Sequence, residues 1–169
     1  MRVKRIAFLF PSLQSRSEGR VDLVQIEVAN RFAKLGYEVN LVVVSGDGVD
    51  ASHVRYPDNM KLITLNAKRA LYSIPALCSL LRETRPDVLV STLDYLNVTA
   101  VLCRLICRVR LRVIGLERNT LSVAARNAPS WRGRRMALLA RLFYPRLDAT
   151  VAVSSGVADD LVRTAGLPR

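Results

Sequence analysis

The chain has one histidine, His53, three cysteines, one tryptophan and only 6% aromatic residues in 169 positions. With His53 alone and no G-x-S-x-G, a Ser-His-Asp triad is excluded. Cys103 and Cys107 lie four apart, but two ligands do not make a zinc site. The cysteines lack a disulfide framework spacing, so they read as buried thiols of a reducing compartment. The dinucleotide pattern G-x-G-x-x-G is missing, as is a Walker motif. Long apolar runs are missing too. The longest, residues 96–106, carries Asn97 and Arg104 and falls short of the roughly 20 residues that span a bilayer. The apolar run at Ile6–Phe10 is too short for a signal segment.

Acids are also scarce: 14 Asp and Glu stand against 26 Lys and Arg, a formal net charge of +12. The excess is local. Residues 101–146 hold eleven arginines and a single acid, Glu117, whereas residues 1–100 carry a net of only +3. A field of this sign attracts phosphates, on lipids, nucleotides or nucleic acid. No helix-turn-helix, OB or RRM signature accompanies the charge, and aromatics are few, so nucleic acid is not the expected partner.

Half the residues are apolar, enough to bury a core without metal or disulfide staples. One domain over residues 1–169 is expected. Short apolar runs at residues 3–10, 38–44, 61–65, 87–91, 111–116 and 148–153 read as strands, the first of the kind buried on both faces and the third the weakest of the runs. Helical periods lie between them. Val21, Val24, Val28, Phe32 and Leu35 recur at steps of three and four, with Gly36 placed as a C-cap. Further helices are expected over 73–85 with Ser73 as N-cap, over 96–108, and over 131–144 behind Ser130 with Met136, Leu139, Ala140 and Phe143 inward. A last helix follows Ser154. Residues 117–130 read as a long polar loop. This alternation predicts an α/β fold: a doubly wound, mostly parallel sheet of about six strands with helices on both faces. Ligands of such sheets bind at the carboxyl ends of the strands.

The loops at those ends supply the candidate site. Gly19 and Arg20 precede a helix N-terminus, where anions dock; Gly19 also reads as a plain loop glycine. Asp94 suits an acceptor hydroxyl, or equally the first turn of the next helix. Glu117, Arg118 and Asn119 together can hydrogen-bond sugar hydroxyls or clamp a phosphate; alternatively, Glu117 and Arg118 form a solvated pair. Arg132, Arg134, Arg135 and Arg141 flank the apolar face of the helix over 131–144, with Trp131 and Tyr144 at its ends. Such a helix suits an anionic membrane surface, or is a core helix with a solvated basic face.

Taken in order, the stretches IAFLFPSL, VANRFAKLGYEVNLVVV, RPDVLVSTLDYLN, ERNT and YPRLDATVAVSSGVADDLVRTAGLP resemble the N-terminal domain of family 4 glycosyltransferases. These are retaining, metal-independent enzymes of GT-B architecture. The resemblance implies a second, donor-binding domain absent from this chain and a parent enzyme of hexosyltransferase type. The parent's donor would be a nucleotide diphosphate sugar, its acceptor lipid-linked or a polysaccharide. It implies no metal or other cofactor and little or no turnover by residues 1–169 alone; the thiols, the short apolar runs and the basic helix together lead us to expect a cytoplasmic protein that can sit on the membrane face. An exposed cleft face suggests a homodimer. The alternative is a non-catalytic Rossmann-like module docking on an anionic membrane or a protein partner. The chain departs from the family pattern at the first loop, Ser-Glu-Gly-Arg-Val-Asp in place of Gly-Gly-Ala-Glu. It departs again at Arg118, where a histidine is common, and at Ser155, where an acid often follows the serine.

Overall fold

The computed structural model describes residues 4–12, 21–46, 56–127 and 130–168. Six strands are described: β1 (Arg5–Phe10), β2 (Glu38–Val43), β3 (Met60–Thr64), β4 (Val88–Thr92), β5 (Arg112–Glu117) and β6 (Ala149–Ala152). They form one sheet in the order β3-β2-β1-β4-β5-β6. Every neighbouring pair is parallel, so the sheet is parallel throughout. Parallel strands need crossovers, and six helices are described: α1 (Val21–Lys34), α2 (Ile74–Thr84), α3 (Asp94–Cys107), α4 (Leu121–Asn127), α5 (Ser130–Phe143) and α6 (Ser155–Ala165).

The period of two in β1 builds both faces. Ile6, Phe8 and Phe10 join Val39, Leu41, Val43, Val88 and Val90 under α1. Ala7 and Leu9 join Val42, Leu89 and Val113 under α2 and α3. A third cluster ties α3 through α6 together around Val98, Leu121, Ala140, Tyr144 and Leu161.

Several expectations are corrected. The helix α1 buries Gln25, Ile26, Ala29 and Ala33 and leaves Val24, Val28 and Leu35 exposed. Two alanines let the helix approach the sheet closely, and the valine stripe turns outward. The stretch expected as an open loop after β5 contains α4, whose N-terminus receives the Asp160 carboxylate at the Ser122 N–H, 3.1 Å. Ser73 does sit at the N-cap position of α2, but it makes no side-chain capping bond; its hydroxyl donates back to the Ala70 carbonyl at 2.6 Å. Ser130 is the first residue of α5 rather than its cap. Ser154 does cap α6, accepting from the Val157 N–H at 3.3 Å, and Gly36 ends α1 at φ 86°.

Candidate functional site at the carboxyl edge

Strand order reverses between β1 and β4, and a crevice opens outside their carboxyl ends at such a point. The chain leaves β4 through Leu93, held at φ 73° and ψ 145°. A leucine in that region is strained, and such strain gathers at functional sites. The turn sets Asp94 as the first residue of α3, where Oδ1 accepts the Tyr95 N–H at 2.7 Å. Asp94 is half-buried, and burial pushes its pKa above the usual carboxylate value despite hydrogen bonds from the Tyr95 and Asp94 N–H groups.

Glu117, the last residue of β5, is 2% exposed. It is not solvated and forms no pair with Arg118. Its Oε1 accepts from Asn97 Nδ2 at 2.9 Å and from the Tyr144 hydroxyl. Asn97 is held in turn by the Ser91 hydroxyl, which donates to Oδ1 at 2.7 Å. Burial is the chief reason the Glu117 pKa is raised to about 7, and the negative charge of Asp94 adds to it. Hydrogen bonds from Tyr144, Asn97 and the Arg118 N–H pull the other way. Burial, with Glu117 close by, raises the Tyr144 phenol as well. Gly115 makes room for this network: a Cβ there would lie 2.8 Å from Leu147 Cδ1 and 3.2 Å from Asn97 Cγ.

Glu117 is therefore a positioning residue. It fixes one end of the loop carrying Arg118 and Asn119, while Asp160, bonded to Ser122, fixes the other. Arg118 is half-buried, with no carboxylate partner among the described residues, and Asn119 is exposed. Arg118 thus stands at the carboxyl edge without a carboxylate partner among the described residues.

Beside Tyr95 a groove of about 520 Å³ runs between α3 and α5, lined by Arg69, Leu71, Tyr95, Trp131, Arg135 and Leu139 among others. Arg134, Arg135 and Arg141 are exposed on α5 together with Trp131, Leu138 and Leu142. Tyr144 is not part of that surface, being buried in the Glu117 network. Gly19 and Arg20 lie outside the described residues, as does the side chain of Arg132.

The structure thus brings Asp94 to Glu117, and of the α5 arginines it places Arg135 in the groove beside Tyr95. Three participants were missed in the sequence: Asn97, Tyr144 and Asp160. The visible signal for Asn97 was an amide inside an otherwise apolar helix. Among the described residues, no group of three His, Cys, Asp or Glu side chains is placed to hold a metal ion, and no helix is long and apolar enough to cross a membrane.

The fold is shared with solved proteins. Sucrose-phosphate synthase from Thermosynechococcus elongatus matches with a TM-score of 0.72 at 10% identity, over 98% of this chain and 46% of that one. The lipopolysaccharide outer core galactosyltransferase WaaB matches at 0.68 and 13% identity, over 97% and 43%. HepE of Anabaena, solved with UDP and glucose, matches at 0.64 and 16% identity, over 99% and 44%. The chain spans a little under half the length of these three proteins. No curated protein sequence matches it. The model of Glycosyltransferase Family 4 matches residues 22–169, which include every described strand but the first and both arms of the Glu117 loop. By that match the chain belongs to glycosyltransferase family 4.

Proposed function

We propose that these residues form the N-terminal, acceptor-side domain of an enzyme that transfers a hexose from a nucleotide diphosphate sugar to a lipid-linked or polysaccharide acceptor. The observation that carries this is the clamped Glu117–Asn119 loop at the carboxyl edge, with Arg118 unpaired among the described residues, in a chain of this family. Arg118 and the N-terminus of α3 stabilise the departing diphosphate, a mainly electrostatic task that needs no metal or cofactor. Asp94 accepts the acceptor hydroxyl. The donor-binding half lies in a second domain of the parent, and residues 1–169 alone turn over little because two substrates must be held across a cleft. Support for the donor class comes from HepE, whose structure holds UDP and glucose; support for a glycolipid or polysaccharide acceptor comes from WaaB, named for lipopolysaccharide.

The exposed Trp131, Leu138 and Leu142, flanked by Arg134, Arg135 and Arg141, favour a second role for the same domain. We propose that α5, with Arg132 in its sequence, docks it on an anionic membrane on the cytoplasmic side. An association into homodimers through the remaining apolar faces is part of the same proposal.

The test uses the complete product of the source gene with a panel of nucleotide diphosphate sugars, read as nucleotide release. Arg118→Ala is expected to lower kcat/KM by at least tenfold with an unchanged circular dichroism spectrum. Wild-type rates in both Arg118→Ala and Asp94→Asn refute the assigned roles. Sedimentation with phosphatidylglycerol vesicles, lost on reversing Arg134 and Arg141 to Glu, tests docking; binding indifferent to both the lipid charge and these changes refutes it.

A further inference from the structure

At the amino edge of the sheet, away from the cleft, four arginines line one pocket of about 460 Å³. Arg82 and Arg85 come from the end of α2, Arg108 from the end of α3, and Arg110 from the link to β5; Pro86 and Val109 complete the lining. All four arginines are exposed, and none pairs with a carboxylate among the described residues. Elsewhere arginines do find acids: Arg5 meets Glu38, Arg31 meets Glu27 and Arg104 meets Asp148. Two acids neighbour the pocket in sequence: Glu83 is exposed, does not line the pocket and forms no ion pair among the described residues, and Asp87 is occupied by the N–H groups of Lys4 and Arg5 at 2.8 and 3.0 Å.

The backbone gives a second, independent observation. The helices α1 and α6 end in glycines at positive φ, Gly36 at 86° and Gly166 at 69°. The helices α2 and α3, which end at the pocket, use arginine in the same left-handed geometry, Arg85 at φ 44° and Arg108 at φ 53°. Glycine enters that region freely, whereas a side chain meets steric resistance. The sequence therefore places a strained arginine at the two helix ends that face this pocket and an unstrained glycine at two that do not. Helix dipoles do not account for the charge. Each C-terminus carries roughly half a negative charge, so two ends offset about one of four guanidiniums.

We infer that this pocket is a second binding site, separate from the cleft, for a phosphoryl group bearing at least two negative charges, either a free phosphate compound or a phospholipid headgroup. Guanidinium forks bind phosphate oxygens bidentately, and several around one pocket select multiply charged phosphates over single carboxylates. The inference does not depend on the transferase reading.

Inorganic pyrophosphate is titrated into the 169-residue chain by calorimetry at low and high salt, and vesicles of phosphatidic acid or phosphatidylcholine are sedimented with it. Two variants accompany the wild type. Arg85→Gly with Arg108→Gly removes both charge and strain, so its Tm is expected to equal or exceed the wild type's. Arg82→Gln leaves the backbone alone. The expected result is saturable, salt-sensitive binding that weakens at least tenfold in the double variant and severalfold in Arg82→Gln. Pyrophosphate binding with this pattern identifies a free phosphate as ligand; the pattern confined to phosphatidic acid vesicles identifies a headgroup. Binding of neither probe, or binding equal in wild type and variants, overturns the proposal.

Discussion

Replacing Glu117 by Gln should change how stability depends on pH more than it changes stability itself. In the folded protein Glu117 titrates at about 7, against 4.5 when unperturbed. Between these values the folded state binds more protons than the unfolded one, so stability falls as pH rises from 4.5 through 7. Linkage over the interval from pH 5 to pH 8 gives a loss of about 2.5 kcal/mol attributable to this one buried carboxyl. Glutamine carries no such charge. Its Oε1 still accepts from Asn97 and Tyr144, which both donate to a single oxygen of Glu117. The amide forfeits the hydrogen bond that the Arg118 N–H gives the carboxylate, a cost of about 1 kcal/mol. Urea unfolding followed by circular dichroism at pH 5 and pH 8 measures the difference. The wild type should lose roughly 1 M in midpoint relative to Glu117→Gln across that range, for a typical slope. An identical pH slope in the two proteins would refute the reasoning, because it would mean that Glu117 is ionised in the folded state throughout.

Asn97→Leu leaves Glu117 and Ser91 buried without their shared partner and should cost about 2–3 kcal/mol in urea unfolding; Glu117→Gln in the same chain should recover part of it. Gly115→Ala pushes a methyl against Leu147 and Asn97 and should cost about 1–3 kcal/mol, with a lowered thermal midpoint as the readout. Burial pushes Cys107 up to about 12 and raises Cys103 too, and Cys78, Cys103 and Cys107 are all buried. All three thiols should therefore react with a thiol-labelling reagent only after denaturant is added, as rapid labelling of the native chain would disprove.

The sheet was legible because strands covered on both faces read as continuous apolar runs, as Ile6–Phe10 and Leu41–Val44 do. The face of α1 was not. Valine spacing pointed to Val24 and Val28, but contact with the sheet is made through Ala29 and Ala33, whose small size signals closeness rather than hydrophobicity. The helix α4 has seven residues and mostly small or polar side chains, so it lacks an apolar period; Asp160, 38 residues away, secures its N-terminus. Position at the carboxyl edge alone made Asp94 and Glu117 candidates. The state of Glu117 depended on Asn97 and Tyr144, which are 20 and 27 residues distant. Local sequence suggested a solvated acid because its partners lay on other elements.

The strand order also has a consequence for synthesis. Arg5 and Asp87, at the starts of the two central strands, are 82 residues apart, and β2 and β3 both lie on the far side of β1. A nascent chain that ends before β4 can pair β1 with β2 and cover Ile6, Phe8 and Phe10 with α1. It leaves one edge of β1 unpaired and Ala7, Leu9, Val42 and Val44 without most of their helical cover. Such a half-sheet presents a sticky edge and an apolar face together, the pairing that favours aggregation. The crevice at the switch point comes into being only when β4 closes that gap. Ligand and ribosome thus act at different times: nothing bound at the cleft can stabilise the first half of the chain before β4 is made.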